Sequence, residues 1–141
     1  MAAAKELYVI IIGCGRLGSY LANRLSHDGH SVVVIDLDHS ALETLSIDYS
    51  GFRMEGDATE INLLKQAKID KADFFIATTG DDNVNLMVAQ IAKKLFQVPR
   101  VMARVFQPKR EKTYLDLGIE TVCPTSIAAD LLLKSIQGSQ A

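Results

Sequence analysis

The sequence predicts an α/β fold with a Rossmann-type, doubly wound parallel sheet of six strands in the order 3-2-1-4-5-6 and helices on both faces. Short apolar segments rich in β-branched residues alternate with segments of helical periodicity along the 141 residues. A glycine-rich turn also joins the first predicted strand to the first predicted helix, as in dinucleotide-binding units. We therefore expect one domain over residues 7–136, preceded by a mobile lead-in, residues 1–6, and followed by a tail, residues 137–141.

The strands are predicted from apolar runs. Residues 7–12 (LYVIII) are apolar on both faces, which is typical of a parallel strand that is covered by helices on both sides. The weakest run is GFRME, in the third position. The predicted strands are residues 7–12, 32–35, 51–55, 73–77, 101–105 and 120–123.

The helices are predicted from 3–4 spacing of apolar residues and from their end signals. Gly29 follows the first helix as a C-terminal stop. Asp38 or Ser40 caps the second helix, and Asp57 and Glu60 stand at capping-box spacing at the start of the third. The predicted helices are residues 16–28, 41–49, 57–67, 82–96, 109–117 and 125–136.

The last helix predicts an association surface. It carries an apolar stripe made of Ile127, Leu131, Leu132 and Ile136. Exposed apolar stripes of this kind mark partner surfaces, so we expect at least a homodimer.

Composition excludes several classes of protein. Lys plus Arg number 15 and Asp plus Glu number 17, which gives a net charge of −2 and argues against direct nucleic-acid binding. No apolar run approaches the length of a membrane span, so we expect no transmembrane segment. The two cysteines, Cys14 and Cys123, are too few for a disulfide framework or a zinc site. Without the long apolar region of a signal peptide, the chain is expected to be cytoplasmic.

The strongest motif is the loop Gly13-Cys14-Gly15-Arg16-Leu17-Gly18, which leaves a predicted strand and opens a helix. Gly13 permits the tight turn, Gly15 lets a phosphate approach the backbone, and Gly18 lets the helix pack close to the sheet. The helix N-terminus then offers free N–H groups to the phosphate. Arg16 pairs with phosphate oxygens or is a solvated charge at the helix start.

An acidic residue completes the motif. Asp36, followed by Leu37, ends the second strand eighteen residues beyond Gly18. A carboxylate at this position accepts both ribose hydroxyls of an adenosine, although a strand-end aspartate also serves as a helix cap. No arginine follows within the next few residues to take up a 2′-phosphate, so NADP is not expected.

Further candidate residues stand at the ends of other strands, where ligands of open α/β sheets bind. Asp57 either accepts from an adenine amino group or caps a helix. Arg104 interrupts an apolar strand and therefore calls for an anionic partner, either a ligand or an internal ion pair. The candidates on this edge of the sheet are Asp57, Ala58, Thr78, Thr79, Gly80 and Arg104.

The sequence does not indicate an enzyme. A dehydrogenase needs a substrate region and an acid–base residue near the nicotinamide, and neither is recognisable here. His27, His30 and His39 lie in polar connections and are interpreted as surface residues. No tyrosine is followed four residues later by lysine, and no GKS/T phosphate loop is present.

Three segments resemble a known family. The segments IIGCGRLGSYLANRLSHDGHSVVVIDLD, GDATEINLLKQAKIDKADFFIATTGDDNVN and LGIETVCPTS are similar to the RCK domain, also called the KTN or TrkA N-terminal domain. The resemblance runs from about Leu7 to Ile136, and Asn83 and Asn85 fall in the family's motif after strand four.

This resemblance implies a cytoplasmic regulatory subunit of a potassium channel or uptake system, peripheral to the inner membrane through a membrane potassium-pore subunit. It implies binding of NAD(H) or an adenine nucleotide such as ATP, ADP or AMP, and assembly into dimers and larger rings. By position, the glycine loop with Arg16 would hold phosphates, Asp36 the ribose, Asp57 and Ala58 the adenine, and Thr78–Gly80 the far wall. The last helix corresponds to the family's crossing helix.

Two other interpretations stay open from the sequence. The chain is the NAD-binding fragment of a dehydrogenase whose substrate domain lies elsewhere, or it is an assembly module with a vestigial site. The smaller C-terminal lobe of full-length family members is not recognisable in this sequence, which bears on how binding would be coupled to a pore.

Overall fold

A computed structural model of the chain describes residues 5–138. Its centre is a six-stranded, all-parallel sheet with the order β3-β2-β1-β4-β5-β6, which confirms the predicted fold class and strand order. Most of the predicted lead-in and tail lies outside the described residues. The strands are β1 (Tyr8–Ile12), β2 (Ser31–Asp36), β3 (Phe52–Glu55), β4 (Phe74–Ala77), β5 (Arg100–Arg104) and β6 (Glu120–Val122).

Among the described residues, six α-helices connect and follow the strands. Gly29, with φ +91°, follows the first helix as the predicted stop, and Asp38 caps the second through the N–H of Ser40. The fourth helix continues as a π-helical segment, Ile91–Leu95, and a 3₁₀ turn, Pro108–Arg110, precedes the fifth. The helices are α1 (Arg16–His27), α2 (His39–Leu42), α3 (Ile61–Gln66), α4 (Asp82–Gln90), α5 (Glu111–Asp116) and α6 (Pro124–Gly138).

The predicted second helix, residues 41–49, is too long, because α2 ends at Leu42. Two side chains of α1 capture the backbone that follows. Asn23 Oδ1 accepts from the N–H of Ser46 at 2.9 Å, and Ser26 Oγ accepts from the N–H of Ser50 at 3.0 Å. These N–H groups are thus bonded to α1 and not to carbonyls of a continuing helix, and the segment folds into turns.

The predicted capping box of the third helix is also wrong. Asp57 Oδ1 accepts from both the N–H and the hydroxyl of Thr59, so it closes a local turn four residues before α3 begins. Glu60 precedes the helix without a side-chain cap. Aspartate commonly competes for the backbone in this way, and here the turn shortens the helix.

Two apolar layers enclose the sheet. Ile10, Ile12 and Phe75 face α3, α4 and α5 in one buried layer, whereas Val9 and Ile11 face α1 and α2 in the other. Residues Val9 to Ile12 are at most 2% exposed because β1 is central and covered on both faces. In contrast, α6 buries none of its residues within the domain.

The Gly13–Gly18 turn packs closely against the end of β4. Gly13 has φ +99°, and a Cβ there would lie 2.9 Å from the backbone nitrogen of Thr79. A Cβ on Gly18 would lie only 1.9 Å from the carbonyl oxygen of Gly13 and 2.7 Å from Thr78 Oγ1. Glycine is therefore required at both positions for β1, β4 and α1 to meet.

We expect Gly18→Ala to lower the free energy of unfolding by about 3 kcal/mol, because backbone must move to admit the methyl group. Urea denaturation of the ligand-free protein measures the change. Gly80→Ala is the matched control, since a Cβ on Gly80 meets nothing within 4 Å and should change stability by about 0.5 kcal/mol at most. Equal stabilities of the two variants would contradict the packing role of Gly18.

Candidate functional site

A cleft of about 530 Å³ opens at the carboxyl ends of the central strands. It collects ten of the fourteen candidate residues from five strand ends, as expected for an open α/β sheet. The ten are Gly13, Gly15, Asp36, Leu37, Asp57, Ala58, Thr78, Thr79, Gly80 and Arg104. The cleft is also lined by residues that sequence reasoning missed, namely Ile12, Ile35, Asp38, Ala41, Gly56, Thr59 and Val84.

The glycine loop forms one wall of the cleft. Gly15 faces open space, since a Cβ there would meet nothing within 4 Å, so a ligand can approach the backbone. Cys14 turns its side chain away into the layer beneath α1 and α2, and burial raises the pKa of its thiol. Gly18 packs behind the loop. In the sequence, the spacing of Gly13, Gly15 and Gly18 is the feature that identifies this loop.

Arg16 and Leu17 do not line the cleft. Arg16 is exposed at the start of α1. Leu17 lines a neighbouring apolar cavity of about 250 Å³, together with Leu21, Ile76, Met102 and Val122; this cavity shares Thr78 and Arg104 with the cleft. Gly13 and Gly15 of the loop therefore line the cleft, whereas the side chains of Arg16 and Leu17 do not.

Asp36 braces two connections at the end of β2. One carboxylate oxygen accepts from the N–H of Cys14 at 2.7 Å, and the other accepts from the N–H of Asp38 at 2.8 Å. The helix cap is Asp38, so the alternative role of Asp36 as a cap is wrong. Each carboxylate oxygen has two lone pairs, so Asp36 keeps acceptor capacity toward the cleft.

Asp57 and Asp38 add two further carboxylates on the same side. Hydrogen bonds from Thr59 lower the pKa of Asp57, and hydrogen bonds from Ser40 lower the pKa of Asp38. Both side chains are therefore ionised at neutral pH. Beside Asp57, Ala58 is buried in the floor, 6% exposed.

The loop after β4 presents backbone to the cleft. The hydroxyl of Thr78 donates to the carbonyls of Ile12 and Gly13 at 3.0 and 3.1 Å. The hydroxyl of Thr79 donates to Asn85 Oδ1 at 2.7 Å. Both hydroxyls thus serve the protein itself, and Gly80 continues the same wall.

Arg104 reaches the cleft from the end of β5. Its Nη2 donates to the carbonyls of Thr78 and Thr79 at 2.6 and 3.0 Å, and its guanidinium lies 4.5 Å from the ring centre of Phe106. Its Nε is buried without a hydrogen-bond partner among residues 5–138, and burial lowers its pKa. The internal ion pair considered from the sequence is absent from the described residues, where the partners are carbonyls.

The charges of the cleft are segregated. Asp36, Asp38 and Asp57 stand at the ends of β2 and β3, whereas Arg104 stands at the end of β5, on the other side of the glycine loop. The acidic side accepts hydrogen bonds from hydroxyl or amino groups, and the guanidinium attracts an anion. Such an arrangement suits a ligand with sugar and base at one end and phosphate at the other.

The three histidines lie outside the cleft. His27 and His39 are exposed as predicted, but His30 is half-buried and its Nδ1 accepts from the N–H of Leu7 at 3.0 Å. Within residues 5–138, no three His, Cys, Asp or Glu side chains are grouped to hold a metal. In the same part of the chain, no helix combines the length and apolar character needed to cross a bilayer.

Fold and cleft place the chain in the Rossmann-type α/β class, with a cleft at the carboxyl ends of its strands. The chain belongs to the TrkA-N domain family, whose model matches residues 9–125. This finding confirms the resemblance to the RCK and TrkA N-terminal family.

Individual proteins give the same result. The chain is 37% identical over 135 residues to the Trk system potassium uptake protein TrkA of Streptomyces coelicolor, which covers 96% of this chain and 60% of that protein. It matches the GsuK channel bound to NAD with a TM-score of 0.82 and 26% identity over 99% of this chain and 25% of that one. It matches the Shewanella denitrificans Kef CTD in AMP-bound form with a TM-score of 0.73 and 25% identity over 92% of this chain and 80% of that one.

The chain therefore spans 60% of the length of the first curated relative.

We expect Asp36→Asn to lower the free energy of unfolding by about 2 kcal/mol, because an amide cannot accept from both backbone N–H groups. The measurement is urea denaturation without ligand. Asp48→Asn, at an exposed position between α2 and β3, is the matched control and should be neutral. A neutral Asp36→Asn would show that these two hydrogen bonds do not brace the cleft.

Proposed function

We propose that this chain is the nucleotide-binding regulatory domain of a potassium transport or channel system. The observation that carries the proposal is the segregation of carboxylates and guanidinium across a glycine-loop cleft. It is supported by membership of the TrkA-N family and by relatives that are a potassium uptake protein and a channel bound to NAD. The ligand is NAD(H) or an adenine nucleotide, ATP, ADP or AMP.

In this proposal the adenosine lies on the acidic side. Asp36 accepts from the ribose hydroxyls, Asp57 accepts from the adenine amino group, and Leu37 and Ala58 contact the base. A 2′-phosphate would stand beside the carboxylates of Asp36 and Asp38, so NADP is disfavoured by charge repulsion.

The phosphates lie between the glycine loop and Arg104. The N–H groups at the start of α1 and the open backbone at Gly15 receive them, as at other helix N-termini. Gly13, Cys14, Leu17 and Gly18 shape this loop, and the backbone of Thr78, Thr79 and Gly80 forms the opposite wall. Arg16, which does not line the cleft, contacts only phosphates that extend beyond it.

The proposal assigns sensing and not catalysis to the cleft, because the similar proteins are named for potassium transport and channel function. The partner is a membrane potassium-pore subunit, and the domain works at the cytoplasmic side of the inner membrane. The alternative, a dehydrogenase fragment, has no specific observation in its favour.

The function is tested with the natural full-length protein and its pore partner in proteoliposomes. Potassium or rubidium flux should change when NADH or ATP is added, and mass spectrometry of the purified protein should detect a bound adenine nucleotide. Flux that is indifferent to NAD(H), ATP, ADP and AMP would refute the regulatory role. Oxidation of NADH by a hydroxy acid or aldehyde would favour the dehydrogenase interpretation.

We expect NADH to bind at least about tenfold more tightly than NADPH, because Asp36 and Asp38 repel the 2′-phosphate. Asp36→Ala should weaken the binding of NADH by about 10- to 100-fold, as expected for a lost hydrogen bond to a charged acceptor. The preference for NADH over NADPH should become smaller in this variant. Isothermal calorimetry measures both constants.

Asp116→Ala, on the exposed end of α5, is the control for removal of a carboxylate and should leave both affinities unchanged. Equal affinities of the wild type for NADH and NADPH would refute the ribose assignment of Asp36.

We also propose that α6 packs on a second copy of the chain, giving a homodimer that builds into a larger ring. Ile127, Leu131, Leu132 and Leu133 are each at least half exposed, and no residue of α6 is buried. Exposed apolar surface on this scale is characteristic of an association surface.

We expect Leu131→Asp to convert the dimer to a monomer of about 15 kDa, because it places a charge in the apolar contact. Light scattering over a concentration series measures the mass. Gln137→Asp adds the same charge on the polar side of α6, near Asp130, and should leave the dimer intact. A wild type that is monomeric throughout the series would refute the assignment of α6.

A further inference from the structure

Asn85 lies beneath the cleft wall, in α4, and is completely buried. Its side-chain amide makes four hydrogen bonds. Oδ1 accepts from the N–H of Thr79 at 2.9 Å and from the Thr79 hydroxyl at 2.7 Å. Nδ2 donates to the carbonyl of Thr79 at 3.1 Å and to the carbonyl of Arg104 at 3.1 Å.

These bonds use the full capacity of the amide, which has two donors and two strong acceptor sites. Rotation or removal of the side chain would take away the partner of the Thr79 N–H and of the Arg104 carbonyl, and one of the two donors to the Thr79 carbonyl. The cost of such unpaired groups fixes the loop after β4 relative to both α4 and β5. The Asn85 side chain thus hydrogen-bonds the N–H, the hydroxyl and the carbonyl of Thr79.

The same loop holds the side chain of Arg104. The carbonyls of Thr78 and Thr79 accept from Nη2, while the main-chain carbonyl of Arg104 accepts from Asn85. Both the backbone and the guanidinium of Arg104 are therefore positioned with reference to Asn85. Asn85 itself does not line the cleft.

The charge of Arg104 is held by neutral groups alone. Its hydrogen-bond partners are carbonyls, its stacking partner is Phe106, and Asp82 acts only as a nearby charge, without an ion pair in the described residues. Since no carboxylate forms an ion pair with it within residues 5–138, the guanidinium remains available to attract an anion in the cleft.

We infer that Asn85 is a positioning residue for Arg104 and that it sets how strongly the cleft prefers phosphorylated over uncharged adenosine ligands. The inference rests on the proposed function. Asn85 acts on the phosphate end alone, because its hydrogen bonds go to the wall that carries Arg104, whereas Asp36 and Asp57 stand on other strand ends. Its loss should therefore affect AMP and leave adenosine almost unchanged.

The test compares dissociation constants of AMP and adenosine, measured by calorimetry. The wild type should prefer AMP, and Asn85→Ala should reduce that preference about tenfold or more while adenosine affinity stays within about threefold. Asn83→Ala is the matched control on the same helix. Asn83 is exposed, accepts from Arg110 Nη1 at 3.0 Å, and should behave as the wild type.

A double-mutant cycle tests the route through Arg104. Arg104→Gln should reduce the preference for AMP by itself, and Asn85→Ala added to Arg104→Gln should reduce it no further. Independent, additive losses would overturn the inference, as would an equal weakening of AMP and adenosine in Asn85→Ala. A wild type that binds neither ligand would instead refute the proposed function.

A folding failure of Asn85→Ala is addressed in two ways. Asn85→Ser, which keeps a small hydroxyl, is measured in the same manner after its melting transition has been recorded. In the wild type, hydrogen exchange of the Thr79 N–H is followed with each ligand. AMP should increase its protection and adenosine should not, because only AMP engages Arg104; equal protection by both would overturn the inference.

Discussion

The geometry of the cleft depends on the close approach of the Gly13–Gly18 turn to the end of β4. The N–H of Gly13 donates to the carbonyl of Ile35, and the N–H of Thr78 donates to the carbonyl of Ile12, both at 2.8 Å. The Thr78 hydroxyl also donates to the carbonyls of Ile12 and Gly13. Three strand ends are thereby tied at one point, and the cleft opens directly above it with its walls already set.

Around that point the polar side chains have two functions, holding the protein together and facing the cleft. Asp36 braces the glycine loop and the turn before α2, yet its carboxylate retains acceptor capacity. Arg104 is held by carbonyls of the loop after β4, yet it forms no ion pair within residues 5–138. Groups that are fixed by the protein in this way need little rearrangement when a ligand arrives, which reduces the entropy lost on binding.

Local sequence patterns predicted the strands and the glycine loop correctly, because apolar runs and glycine spacing reflect burial and backbone sterics directly. They gave wrong predictions where hydrogen bonds to residues distant in the sequence determine the local structure. The spacing predicts a helix over residues 41–49. In the structure, the side chains of Asn23 and Ser26 in α1 accept hydrogen bonds from the N–H groups of Ser46 and Ser50, so the helix does not continue. The partners of Arg104 are main-chain carbonyls from another strand end, and no sequence pattern encodes those. Asp38 and Gly56, which follow strand ends, could have been added to the candidate site by the rule that located Asp57.

The partly buried guanidinium of Arg104 has a consequence for the lifetime of the protein. A cation that is partly desolvated without an ion-pair partner lowers the stability of the folded state. Any anion that binds it raises that stability by mass action, in proportion to the logarithm of its concentration over its dissociation constant. Because proteases act mainly on transiently unfolded chains, the empty domain would be degraded faster than the loaded one. Cellular abundance of the chain would then follow the supply of its anionic ligand.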